Sequence, residues 1–289
     1  LTSTTYLLIE LSSFFSCKTS SNKGGAVYFS NSGGQCVFHN VCSNDCFSTY
    51  SSCSSGQFAY ISVNDGASSK NYFNYSSITR CVNMVKGSEF NLCLCNGKIC
   101  CPSTNISLNK LDYQPVFCLF PYQKSNSVTC SFTYCSFVDN RANEDNCIYL
   151  GTSGAEYETK CCNILRNTHV ILTSRGIIYS AGNLMIKDSC ILENTPNYIF
   201  YQSSSSCTIT LSNCTVDSTS NNGYLTIQNT IKKSFLHALN HISTQNCHSG
   251  YDSVGSLTAI PPLTSKEKIK NCFTYKIIRA RVSEFFSFI

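Results

Sequence analysis

The chain has 289 residues, of which 42% are hydrophobic and only 13% charged. That is too apolar for a disordered chain and poor in charge for an ordinary cytosolic globule. The formal net charge of +5 is spread out, with its densest stretch at Lys266, Lys268, Lys270, Lys276, Arg279 and Arg281. We read that stretch as solvated surface rather than a footprint for nucleic acid or an anionic membrane.

Trp is absent, whereas Phe and Tyr number 18 and 17. Aromatic and β-branched residues set between Ser, Asn and Gly clusters point to many short strands joined by polar turns. The 21 cysteines suit an oxidising compartment, but free Cys also packs as a small hydrophobe in a repeat core. We expect a few disulfides and many buried thiols, with at least one Cys unpaired within the chain. Three Asn-x-Ser/Thr tripeptides, at Asn74, Asn105 and Asn213, suit a secretory route.

The sequence opens on Leu1 and reads as a processed product or a fragment; Tyr6-Leu7-Leu8-Ile9 is too short for a targeting signal, so any such signal is expected to lie outside this sequence. No apolar run approaches the roughly 18 residues that a membrane-spanning helix needs. Further along, an aromatic-containing apolar element recurs: Ala26-Val27-Tyr28-Phe29, Ala59-Tyr60-Ile61, Ile148-Tyr149-Leu150, Ile178-Tyr179-Ser180 and Phe200-Tyr201. Gly33, Gly66, Gly154 and Gly182 follow the first four. Residues 86–128 break this rhythm and hold Cys93, Cys95, Cys100, Cys101 and Cys118 with Pro102, Pro115 and Pro121. The spacing lacks the paired Cys-x-x-Cys knuckles of a zinc site. It predicts a Cys-rich loop insertion stapled by disulfides and projecting as a candidate binding surface. Cys46 and Cys53 bracket another loop and are a possible pair.

A second element then repeats without gaps: Phe137-Val138-Asp139-Asn140, Ile164-Leu165-Arg166-Asn167 and Ile191-Leu192-Glu193-Asn194. Its Asn residues are 27 apart each time, and Cys135, Cys162 and Cys190 precede the three copies. A weaker copy follows at Cys214-Thr215-Val216-Asp217-Ser218. Between the two elements lies a third, such as Asn183-Leu184-Met185-Ile186-Lys187 or Thr208-Ile209-Thr210-Leu211, with the period-2 alternation of a half-buried strand. The fold class is therefore all-β: a right-handed parallel β-helix over residues 1–260, with three short strands per coil of about 27 residues. Each repeated Asn suits a tight turn, through tolerance of the left-handed region and amide bonds to backbone, and stacked amides can bond along the axis. Pro261-Pro262 ends the pattern, and residues 261–289 read as a C-terminal cap or tail.

Gly24-Gly25-Ala26-Val27 matches a Gly-Gly-Ala-(Ile/Leu/Val) motif and Phe137-Val138-Asp139-Asn140 a Phe-x-x-Asn motif. Over roughly residues 14–250 the chain resembles chlamydial polymorphic-outer-membrane-protein repeats, and its Cys- and Asn-rich coils are similar to trichomonad surface protein families. The resemblance implies a pectin-lyase-like β-helix, surface exposure and a role in adhesion, and it carries over no functional residue.

Carbohydrate-processing enzymes also use that fold, so catalysis needs its own argument. Only 16 Asp and Glu are present. Glu144-Asp145 reads as a solvated turn, and Asp139, Arg166 and Glu193, at matching repeat positions, read as a surface ion-pair ladder. The histidines, His39, His169, His237, His241 and His248, form no metal or lyase motif, and no nucleophile-elbow, phosphate-loop or dinucleotide fingerprint occurs. We expect no catalytic, cofactor or metal residue. The expected role is a secreted or cell-surface interaction module, adhesin-like, binding a host protein or glycan and belonging to a larger anchored protein. The alternative is a carbohydrate-processing β-helix enzyme or a degenerate relative of one.

Overall fold

The computed structural model describes residues 6–20, 23–49, 55–83, 89–111, 115–123, 126–143, 146–170, 175–195 and 197–232. Every regular element among them is a strand, and neighbouring strands pair in parallel. The fold is a β-solenoid with turns of roughly 28 residues. Two faces are nine-stranded sheets. Face I runs from Tyr6–Glu10 to Leu225–Gln228, and face II from Ser13–Phe15 to Ile231–Lys232. Face III has seven strands, from Val27–Ser30 to Phe200–Gln202. The three strands expected per coil are present. Several coils add a two-residue fourth between faces II and III, as at Arg141–Ala142 and Thr168–His169.

Alternation decides what points inward. On face I, Cys36, Phe38, Phe73, Ile99, Cys101, Cys130 and Phe132 enter the core. Seven of the nine face II strands are three residues long, and in the central ones the middle residue enters the core: Ile78, Ile106, Phe137, Ile164 and Ile191 form one stack. Phe117, Phe132 and Phe137 meet with ring centroids 5.4–6.2 Å apart. Each such buried Phe contributes about 1.5–3 kcal/mol relative to leaving it in water.

The corners are built by a common device. Among the described residues, with the exceptions of Asn96 and Asn126, every non-glycine residue of positive φ sits at one of two corners. Asn40, Tyr75, Ser103, Tyr134, Cys161, Asp188 and Asn213 turn the chain from face I to face II. Asp45, Arg80, Leu108, Asp139, Arg166 and Glu193 end the face II strands. After most of these residues the next one points inward and bonds the neighbouring coil, as Thr104, Cys135, Cys162 and Cys214 do.

At the second corner this inward residue is the repeated Asn. The Nδ2 of Asn140 donates to Oδ1 of Asn167 at 3.0 Å and to the carbonyl of Ile106 at 2.8 Å. Asn167 repeats the pattern onto Asn194 and Phe137. The backbone N–H of each Asn also donates to the Oδ1 of the next. The amide stacking expected from the sequence is therefore present, but the left-handed residue is the one before each Asn. The ladder also begins one coil earlier, at Asn109, which donates to Asn140 Oδ1 at 3.0 Å and accepts from Cys81 N. Cys17, Cys46 and Cys81 hold the same position in the first three coils.

Three expectations need correction. The described residues of the 86–128 stretch do not form a projecting insertion: Glu89–Cys95, Lys98–Pro102, Asn105–Ser107, Lys110–Leu111 and Phe117–Phe120 are strands in register with their neighbours. Their cysteines are thiols, not staples. Cys190 is not the repeat partner of Cys162. It pairs with Asn163, and Ser189 takes the inward place, its Oγ accepting from Cys162 N at 3.0 Å. The expected cap at 261–289, Cys53, Glu144-Asp145 and His237, His241 and His248 lie outside the described residues.

The Gly24-Gly25 motif has a steric cause. A Cβ on Gly25 would lie 2.0 Å from the carbonyl oxygen of Gln57, and one on Gly24 2.0 Å from that of Val27. Glycine at 25 lets the first two coils approach this closely, and glycine at 24 lets the local chain turn.

Truncating a central rung of the amide ladder strands several buried donors and acceptors at once. Asn167→Ala is expected to cost about 3 kcal/mol, read as a lower urea midpoint by circular dichroism. Asn194→Ala, at the half-buried end, is expected to cost less. Equal losses at both positions would contradict a cooperative ladder.

Candidate functional site

The middle residue of each face III strand points outward. Strand register places Tyr28, Tyr60, Cys93, Cys118, Tyr149, Tyr179 and Tyr201 in one column across all seven strands. The recurring aromatic element of the sequence thus becomes an outer row, broken at Cys93 and Cys118. Tyr149 and Tyr179 stack with centroids 4.5 Å apart and planes 3° from parallel, and Tyr179 stacks on Tyr201 at 5.7 Å and 13°. Tyr28 and Tyr60 repeat the arrangement at 5.7 Å and 21°. Each pair is worth about 0.5–1.5 kcal/mol beyond its burial. Because the rings stack along the solenoid, their edges and phenolic hydroxyls form the row's outer rim. Tyr28 is 51% exposed and the other four are half-buried.

The row is closed at its centre by a small second core. Phe90, Cys93 and Cys118 are buried there under Tyr60, Cys95, Phe120 and Tyr149. The Sγ atoms of Cys93 and Cys95 are 3.5 Å apart. Burial pushes the Cys93 thiol well up, and the adjacent Cys93 thiol, together with burial, pushes Cys95 up. Burial also raises Tyr60, over whose ring Lys23 sits at 5.3 Å. These thiols stay protonated at neutral pH and act as apolar filling rather than as nucleophiles. Cys100 and Cys101, expected beside them, lie instead on face I, with Cys101 in the core. Except for Cys42, which is disulfide-bonded, every described cysteine is a thiol.

Of the expected ion-pair ladder, Arg166 grips Asp139 through both oxygens, at 2.8 and 2.9 Å. Asp139 raises the Arg166 guanidinium, with Glu193 adding a weaker pull. Both partners are more than a third exposed, so the pair is worth at most about 1 kcal/mol.

A polar group that the sequence reading missed lies outside face I. Glu156 and Glu158 alternate outward on one strand. Glu156 accepts from Asn183 Nδ2 at 2.8 Å, and Glu158 pairs with Lys187 at 3.2 Å. The alternation Glu-Tyr-Glu-Thr-Lys could have revealed it, since outward carboxylates two apart share a face.

No family model, curated protein or solved structure matches this chain.

The buried thiols predict an alkaline limit to stability. Burial lifts Cys147 from 9.0 to about 12. Below pH 9 folded and unfolded chains both hold that proton, so stability is unaffected. Between pH 9 and 12 only the unfolded chain releases it, so stability falls as pH rises. Melting followed by circular dichroism is expected to drop between pH 9 and 11. A flat profile there would contradict protonated core thiols.

Proposed function

We propose that this chain is a non-catalytic interaction module of a secreted or surface-exposed protein, adhesin-like, and that it binds through face III. The outer tyrosine row carries the reading. Tyr is enriched where proteins bind partners, because it offers large contact area and a polar tip at low entropic cost. Here the rings stand on strands, locked by mutual stacking, so little order remains to be lost on binding. The resemblance to polymorphic-outer-membrane-protein and trichomonad surface repeats, with their pectin-lyase-like fold, points the same way, and a host protein or glycan is the ligand class it implies.

The test uses labelled chain on epithelial cells and on a glycan array. Replacing Tyr179 and Tyr201 with Ser is expected to weaken saturable binding at least tenfold. Ser at Tyr75 and Tyr134, exposed at another corner, is expected to leave it unchanged. Binding that ignores the first pair would overturn the assignment to face III. For the location, an impermeant amine reagent is expected to label the parent protein on intact cells.

A second reading, a carbohydrate-processing enzyme, is favoured by Glu156 and Glu158 beside Lys187, since glycosidases work with paired carboxylates. Sugar release from acidic polysaccharides that disappears in Glu158→Gln would establish it. We expect no release.

A further inference from the structure

The three Asn-x-Ser/Thr tripeptides are unequal once folded. Asn105 is 6% exposed, in the middle of face II, and its Nδ2 is engaged by Ser77 Oγ at 3.1 Å and by Ser107 Oγ at 3.2 Å. Ser107 is the third residue of that same tripeptide and is itself buried. Asn74 is half-buried, with its side-chain carbonyl enclosed. Asn213 alone has an exposed side chain. It stands at a corner with φ 54°, between the strand Ile209–Ser212 and Thr215. Its Nδ2 donates to Asp188 Oδ1 at 2.6 Å on the exposed surface.

We propose that Asn213 is an N-glycan acceptor of this chain. The proposal rests on the secreted or surface reading, because the donor is met only on a secretory route. The transferred group is an oligosaccharide carried on a lipid diphosphate. The Asn213 Nδ2 forms a bond to the anomeric carbon of the sugar. The bond from that carbon to the diphosphate breaks, the lipid diphosphate leaves, and the amide gives up one proton to a base of the transferring enzyme. The exposed contact to Asp188 is cheap to lose, whereas the same modification at Asn105 would open buried hydrogen bonds between coils. Asn213 lies at the corner joining faces I and II, across the solenoid from face III, so the glycan leaves the tyrosine row uncovered.

The test is to secrete the full chain from a glycosylating eukaryotic cell line behind a foreign cleavable signal. The product is treated with peptide N-glycosidase in heavy-oxygen water and mapped by mass spectrometry. Heavy Asp is expected at position 213 and unlabelled Asn at 105. Asn213→Gln and Thr215→Ala, the latter keeping the asparagine, are each expected to remove one glycan's mass. Secreted chain with bare Asn213, or with a glycan on Asn105, overturns the proposal. The foreign signal supplies the route, so failure here sinks the site alone. Amine labelling of the parent on its own cells tests the surface reading separately.

Discussion

Each coil must reverse direction inside a few residues while leaving no buried backbone group unpaired. That requirement organises the rest of the structure. A left-handed residue makes the bend, and the next side chain enters the core carrying a polar head. The head satisfies the backbone that the bend frees. At the second corner, from Asn109 to Asn194, the head is an amide, which both donates and accepts, so it joins one coil to the next without a gap. At the first corner it is mostly a hydroxyl or thiol, with Val41 the exception. Ser76 and Ser189 return their protons to the carbonyls of Asn74 and Lys187, each at 2.7 Å, and Cys162 does the same to Lys160 at 3.2 Å. Bending residues that are not glycine, such as Arg166 and Tyr134, pay strain of order 1 kcal/mol each, which the inward bonds offset.

This scheme gives the cysteines a role that disulfide chemistry does not. Cys135 N donates to Cys162 Sγ at 3.4 Å, where Cys162 N donates to Ser189 Oγ at 3.0 Å. A thiol thus stands in for a hydroxyl on adjacent steps of one ladder. It is a weaker hydrogen-bonding group but a better apolar filler, which suits a corner pressed against the core. Elsewhere Cys36, Cys101 and Cys130 occupy plain core positions.

The sequence made the repeat visible wherever one residue recurred at one spacing. Asn140, Asn167 and Asn194 identified a ladder, and Tyr149, Tyr179 and Tyr201 an outward row, because each column keeps its residue type over successive coils. The reading failed where a column changes its residue. Asn109 belongs to the ladder, but Ile106-Ser107-Leu108-Asn109 sits among cysteines and prolines that suggested an insertion. Cys190 misled in the other direction, since it stands one place away from the column of Cys135 and Cys162. A single sequence cannot assign register there, because a one-residue slip exchanges inside for outside. Which tripeptide asparagine is buried was equally hidden, since it depends on the stacking of neighbouring coils.

Solenoid geometry also bears on the choice between binding and catalysis. Stacked coils set like residues in rows, so they readily build stripes of one chemistry. A catalytic centre needs unlike groups converging on one atom, which arises only where columns are interrupted. The tyrosine row is interrupted at Cys93 and Cys118, which are packed as apolar filling under aromatic rings, with burial pushing the Cys93 thiol well up. Face I is interrupted at Glu156 and Glu158, but their carboxylates are already engaged by Asn183 and Lys187. On face III the outer column is Tyr in five of its seven strands, in runs of two and three, and under the proposed function an extended ligand would meet the same contact at each coil of a run.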